Sequence, residues 1–192
     1  MKINPYRRLH IAFTAIILLA CNPGRQQPAN HNSTHSDLKT YFEKEAGLLQ
    51  QSGLQLHKSV VLNGQRDSST LAPDSTQLHH LLKPFMDVDI NKPSLQDAYR
   101  TDTIPDLING SSAVMYTARE PGTSPQQIIL NLDREGRIAT VNIHKSTRNL
   151  VYEYQQNLFY QHLKSIRITT LQKIAFLQPR ELDVKVLMAP KN

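Results

Sequence analysis

Chemistry in this chain has to come from a short roster of side chains. There is one thiol, Cys21, and eight histidines, two of them adjacent as His79-His80. Asp87-x-Asp89-x-Asn91 copies the first three ligand positions of an EF-hand loop. Lys92 stands where that loop needs glycine, and Ala98 where a bidentate glutamate closes it. The loop is therefore excluded, and these carboxylates read as turn residues at a helix exit. Adjacent helical residues point about 100° apart, so His79 and His80 do not converge on one metal. His80, beside Leu81 and Pro84, reads as partly buried. No G-x-S-x-G or H-E-x-x-H occurs, and seven glycines leave little room for a phosphate-cradling loop. No metal and no cofactor is expected. The reading leans away from catalysis and keeps an active site without a motif as the alternative.

One further constellation comes from period-two patterning. Ile128, Leu130, Leu132, Ala139, Val141, Ile143, Val184 and Val186 share one face of a set of strands. The opposite face carries Thr140, Asn142, His144, Glu153 and Lys185, with Ile129, Ile138 and Leu187 among them. Mixed polar and apolar character suits a binding surface, and it also describes a half-solvated sheet.

The elements that must position these residues can be read in order. Ser36 to about Ser52 predicts a helix, with Ser36 as N-cap, Asp37 in the first turn, and a stripe of Leu38, Phe42, Glu45 and Leu49 interrupted once by the acid. Leu54 to Leu62 alternates, Asn63-Gly64 is a strong hairpin signal, and the polar return strand Gln65 to Leu71 belongs at an edge. Asp74 starts a second helix whose buried face is Leu78, Leu81, Leu82, Phe85 and Met86. Pro84 should kink or end it near Lys83. Tyr99–Thr103 reads as a short strand. Then Ser111–Ala118, Gln127–Leu132, Arg137–His144, Leu150–Gln156 and Leu182–Met188 read as an antiparallel meander. Residues 158–177 are ambiguous between a long bent strand and a strand–helix pair. The fold class is α+β: an antiparallel meander of about five to seven strands, with two N-terminal helices packed on one face.

Cys21 belongs to a different kind of segment. Lys2, Arg7 and Arg8 precede a ten-residue run, Ile11 to Ala20, broken only by Thr14. At about 1.5 Å per helical residue the run covers half a bilayer's hydrocarbon thickness, too short to span it. The layout is that of an export signal. Leu18-Leu19-Ala20-Cys21 resembles the lipobox of bacterial lipoproteins, in which a signal peptidase cuts before a diacylglyceryl-modified cysteine. The resemblance implies residues 1–20 as signal peptide and acylated Cys21 as the mature N-terminus. A lone cysteine in an exported chain fits consumption of its thiol by lipid.

Residues 21–35 (CNPGRQQPANHNSTH) hold too little apolar surface to order themselves and read as a tether with a root-mean-square span of about 20 Å. Residues 36–192 make one domain. The chain carries 22 Lys+Arg against 16 Asp+Glu. Cleavage before Cys21 removes three cations and leaves 19 against 16, so the basic balance does not point to nucleic acid.

Asp89-Ile90-Asn91-Lys92-Pro93 with Tyr99 downstream, and Asn149-Leu150-Val151-Tyr152 after a strand, resemble segments of small uncharacterised envelope lipoproteins of Gram-negative bacteria. That resemblance implies a lipid-anchored envelope protein and carries over no catalytic residue. Asn22, where some inner-membrane lipoproteins carry aspartate, implies the outer membrane, facing the periplasm. The expected function is a non-catalytic binding or accessory module. It is held to the membrane through its lipid anchor and has an envelope protein as possible partner. The alternatives are a periplasmic enzyme and a carrier of a small apolar ligand.

Overall fold

The structure, a computed structural model, describes residues 35–191. Cys21, the apolar run before it and the tether up to residue 34 lie outside the described residues. Helix α1 spans Leu38–Gln51 and is capped by Asp37, not Ser36. The reason is competition: the Ser36 hydroxyl pairs with the Tyr116 hydroxyl at 3.0 Å, while Asp37 accepts from the Thr40 amide at 3.1 Å and its hydroxyl at 2.6 Å. Those two bonds hold the Asp37 carboxyl below the usual carboxylate range. A lowered folded value means the cap contributes fully above about pH 4 and is lost as pH falls through that value. Asp37→Ala should cost about 1 kcal/mol at neutral pH, whereas Asp37→Asn should keep the cap at both neutral and acid pH. Denaturant unfolding of the three proteins at two pH values checks this.

β1 (Leu54–Leu62) and β2 (Gln65–Leu71) form a hairpin. Asn63 and Gly64 both take positive φ, 49° and 85°, the turn whose twist matches that of the strands it joins. Helix α2 (Ser75–Met86) is capped by Asp74, which accepts from the Gln77 amide at 2.8 Å. It does not stop near Lys83 but runs through Pro84 to Met86. Within the last turn the proline forfeits only the bond to the His80 carbonyl, and burial of Leu82, Phe85 and Met86 holds the turn in place. The Lys145 ammonium donates to the Pro84 carbonyl at 3.1 Å, placing a cation at the negative end of the helix. Burial lowers the Lys145 pKa, and Asp87 opposes that shift.

A 3₁₀ turn at Pro93–Leu95 leads into β3 (Tyr99–Pro105), β4 (Ser112–Ala118), β5 (Gln127–Leu132), β6 (Ile138–Arg148), β7 (Tyr152–Gln161), β8 (Ser165–Ile174) and β9 (Arg180–Pro190). All pair antiparallel in one sheet of nine strands, in the order β2-β1-β9-β8-β7-β6-β5-β4-β3. The class is α+β, and nine strands replace the five to seven expected. The ambiguous residues 158–177 are the end of β7 and all of β8. Ile166 and Ile168 alternate there with exposed Arg167 and half-buried Thr169, a strand's period. The hairpin β1–β2 joins the same sheet because β1 pairs with β9 along its whole length, from Leu54 opposite Pro190 to Leu62 opposite Leu182.

The apolar face read from the alternation is the buried one: Ile128, Leu130, Val141, Ile143 and Val186 are 2% exposed or less. Leu38, Phe42 and Leu49 of α1 and Leu78, Leu82 and Phe85 of α2 lie in the same cluster. Tyr160 of β7 is central to it. Its ring sits 5.2 Å from Phe42 and 6.4 Å from Phe85, both edge-on, and the two phenylalanines are 4.8 Å apart. Ile138 is the exception to the expected alternation. A register shift between Asn131 and Leu132 sets it opposite Leu132, on the core side, because a bulge moves every residue beyond it to the other face. Among the described residues no helix is long and apolar enough to cross a membrane.

Candidate functional site

Glu45 lies in the middle of the apolar stripe of α1 and is 4% exposed. A buried carboxylate needs partners, and two reach the same oxygen. The Tyr160 hydroxyl donates to Glu45 Oε2, and His162 Nδ1 lies 2.8 Å from it. Tyr41, one helical turn before Glu45, lies half-buried beside the cluster. Burial first, and the Glu45 carboxylate second, push the phenols of both tyrosines above their usual value. Both therefore stay protonated, and Tyr160 remains a donor.

His162 is placed by the β7–β8 turn, residues 162–164. Its amide donates to the Ala139 carbonyl at 3.0 Å, and Leu163 follows with φ of 50°. A branched side chain seldom takes that conformation. Leu163 holds it while packing against the core, so the turn is fixed from below and the imidazole is aimed by it. With Nδ1 bound to the carboxylate, Nε2 is the nitrogen left to meet a ligand. The side chain of His162 is 43% exposed.

The imidazole edges an open groove of about 670 Å³ whose rim includes Lys44, Lys164 and Arg137. Arg137 is occupied by Asp133 at 2.8 Å and Glu135 at 3.0 Å. Lys44 and Lys164 are exposed and make no ion pair among the described residues. The groove thus combines an apolar floor from Leu48 and Ile138, a fixed imidazole and free ammonium groups. Chemically it can hold a ligand with an apolar part and an anionic head. A histidine oriented by a buried carboxylate can also take a proton from water or a hydroxyl.

The five residues singled out on the opposite sheet face do share that face, since each neighbours a residue turned inward. They do not form one site. Thr140 bonds Asn131 at 2.6 Å, His144 bonds Asn157 at 2.6 Å, and Asn142 lies between them on β6. Glu153 is four residues along β7 from Asn157, roughly 13 Å away. It is held by Arg148 at 2.7 Å and Lys173 at 3.7 Å, and the Arg148 guanidinium keeps its carboxyl below the usual range. Lys185 is three strands from β6, in a shallow groove with His57 and Thr70.

His80 is exposed, not partly buried, and edges a smaller groove of about 310 Å³ between α2 and the strands, with Leu56, Leu81 and Val186. Asp89 accepts from the Asn91 amide at 3.0 Å, a turn bond as expected. No cluster of metal-ligating side chains is found among the described residues. Ser36-Asp37-Leu38-Lys39 has the S-x-x-K spacing of some serine hydrolases. Ser36 is tied to Tyr116, however, and Lys39 faces Glu43 at 3.9 Å.

Glu45 and His162 were missed by motif reasoning because they are 117 residues apart. A signal existed at Glu45: an acid breaking an apolar stripe has to find a buried partner. Compared with known proteins, the chain matches no family model and no curated sequence.

Proposed function

We propose that the chain is a lipid-anchored cell-envelope protein, sited at the outer membrane and facing the periplasm, whose domain acts by binding and not by catalysis. In this reading the two helices close one face of the sheet, and the working site is the groove at the edge of α1. One observation carries the binding reading: His162, fixed by buried Glu45, stands beside the free ammonium groups of Lys44 and Lys164 over an apolar floor. That combination selects an amphiphile with an anionic head. The apolar floor is continuous with the carrier reading, and a lipid-like or peptidic ligand of an envelope partner satisfies it equally.

The anchor is argued from the sequence around Cys21. Acyl chains contribute about 0.8 kcal/mol per buried methylene, so a multiply acylated cysteine holds far more firmly than a single chain. Cys21→Ala should accumulate as uncleaved precursor, and intact mass of the native protein should show an acylated N-terminal Cys21. An unmodified thiol at residue 21 would refute the anchor. For the groove, the His162 ring resonances should shift on adding lysophosphatidylglycerol below its micelle concentration. The shift should vanish in Lys44→Glu/Lys164→Glu, and unchanged resonances in the parent protein would refute the site.

A second reading rests on the same dyad. With Glu45 orienting it, His162 can serve as general base toward a bound ester, making the groove an active site. Turnover of a short-chain aryl ester, abolished by His162→Ala and insensitive to Tyr41→Phe, would favour that reading.

A further inference from the structure

Four large apolar side chains project from one end of the sheet, uncovered by any other described residue. Leu150 and Phe176 are fully exposed, and Val151 and Leu177 are 60% and 63% exposed. They come from two loops, residues 149–151 after β6 and 175–179 after β8, which form one tip. The Ala175 amide donates to the Val151 carbonyl and the Asn149 amide to the Tyr152 carbonyl, both at 2.8 Å. Phe176 is held with φ of 65°, so the loop presents its ring outward from a backbone conformation that this residue type seldom takes.

The surroundings are graded. Behind the apolar tip come Arg148, Lys173 and Arg180, against Glu153 and Glu181, a surplus of cations. Interleaved with them at the start of β7, Tyr152 and Tyr154 flank Glu153 and stack with ring planes 5° apart. An apolar tip backed by cations and tyrosines at one level matches acyl chains backed by anionic headgroups, the depth at which basic and aromatic side chains both settle in a bilayer leaflet. A protein partner would call for a broader or more concave surface than two loop tips.

The entry of the chain gives a second, independent argument. His35, the first described residue, packs edge-on against Tyr116 at 5.1 Å and Tyr99 at 6.3 Å. Tyr99 opens β3 and Tyr116 lies near the close of β4. Because β4, β6 and β8 run the same way in an antiparallel sheet, that is the same end as the two loops. The segment that follows Cys21 therefore joins the domain at the end that carries the tip.

We propose that the tip of Leu150, Val151, Phe176 and Leu177 inserts into the headgroup region of an anionic bilayer, as a membrane contact separate from the Cys21 anchor. It shares with the anchor reading only the nearness of a membrane, and it orients the domain with the β3–β4 and β7–β8 turns pointing away. The groove at His162, beside the β7–β8 turn, then faces the aqueous side. A second exposed apolar pair, Leu107 and Ile108 in the β3–β4 loop, lies at the far end and serves as the control.

The chain contains no tryptophan, so Phe176→Trp in the full-length protein places a single tryptophan on the tip, excited selectively over the tyrosines. On vesicles of phosphatidylglycerol and phosphatidylethanolamine its emission should shift to the blue. Lipids brominated near the head of the acyl chain should quench it, and Leu107→Trp should stay water-like. Adding Leu150→Asp and Leu177→Asp to the Phe176→Trp protein should reduce quenching to the level of the Leu107→Trp control. A water-like, unquenched Phe176→Trp signal on protein that sediments with vesicles would overturn the tip while leaving the anchor standing. Quenching that persists in Cys21→Ser protein would support the tip whether or not the anchor reading holds. A blue shift that grows with protein concentration without vesicles would mean a second copy covers the tip, and would overturn the proposal.

Discussion

Leu82→Ala should lose about 2–5 kcal/mol of stability, the range for emptying a fully enclosed leucine site. Leu82 is 0% exposed on the inner side of α2, in the same cluster as the sheet's buried residues. Removing three carbons there leaves a void inside that cluster, which can close only if the helix moves. A domain of this size has about 5–15 kcal/mol of net stability, so the loss would be plain in denaturant unfolding. Gln77, exposed on the first turn of the same helix, is the paired control. Gln77→Ala should stay within about 0.5 kcal/mol, because the bond to Asp74 comes from its main-chain amide. Equal, small effects at both positions would mean α2 contributes little to the core.

The second large effect is expected at Glu45. Glu45→Ala removes the acceptor shared by Tyr160 and His162. The Tyr160 hydroxyl, on a residue 0% exposed, would then be stranded without its partner, at about 1–3 kcal/mol for the unmet donor. The lost packing of the glutamate stem adds to that. Removing both polar groups should cost much less. Glu45→Leu with Tyr160→Phe completes the apolar stripe of α1, and the double variant should be near the parent in stability while Glu45→Leu alone is not. Additive losses in that cycle would show that the pair is not coupled. The double variant also separates function from folding: it keeps the core but leaves His162 unoriented, so ligand binding should fall while the unfolding midpoint does not.

Local elements were legible where one kind of physical signal decided them. The Asn63-Gly64 turn, the helix start at Asp74 and the alternating buried residues of β5 and β6 follow from turn chemistry and period alone. The polar β2 strand lies at the sheet edge, as its composition requires. Other features depended on competition between distant groups. Ser36 lost the cap of α1 because Tyr116, eighty residues away, claims its hydroxyl. Ile138 changed face because of a bulge that no propensity reports. The β8 strand hid because its second half is polar at most positions, Thr169, Thr170, Gln172 and Lys173, and only Ile166 and Ile168 are buried on the inner side. The candidate site was the least legible: Glu45 looked like a defect in a stripe, and its partners lie in a hairpin more than a hundred residues on.

The pairing of β1 with β9 sets the order in which this chain can be finished. During synthesis or passage through a membrane the first hairpin emerges early, yet its inner strand has β2 as sole neighbour until β9 arrives. Every β strand from β4 to β8 can zip onto its predecessor as it emerges, but β1 must wait for Arg180–Pro190. Closing that gap joins segments about 130 residues apart, a step whose entropy cost precedes its reward and slows folding. Until then β1 and β8 each present an open edge to neighbouring molecules. A chain arrested before β9 should therefore be delivered as a partly zipped sheet that aggregates or is degraded, and release of the eleven residues of β9 should be the event that completes the domain.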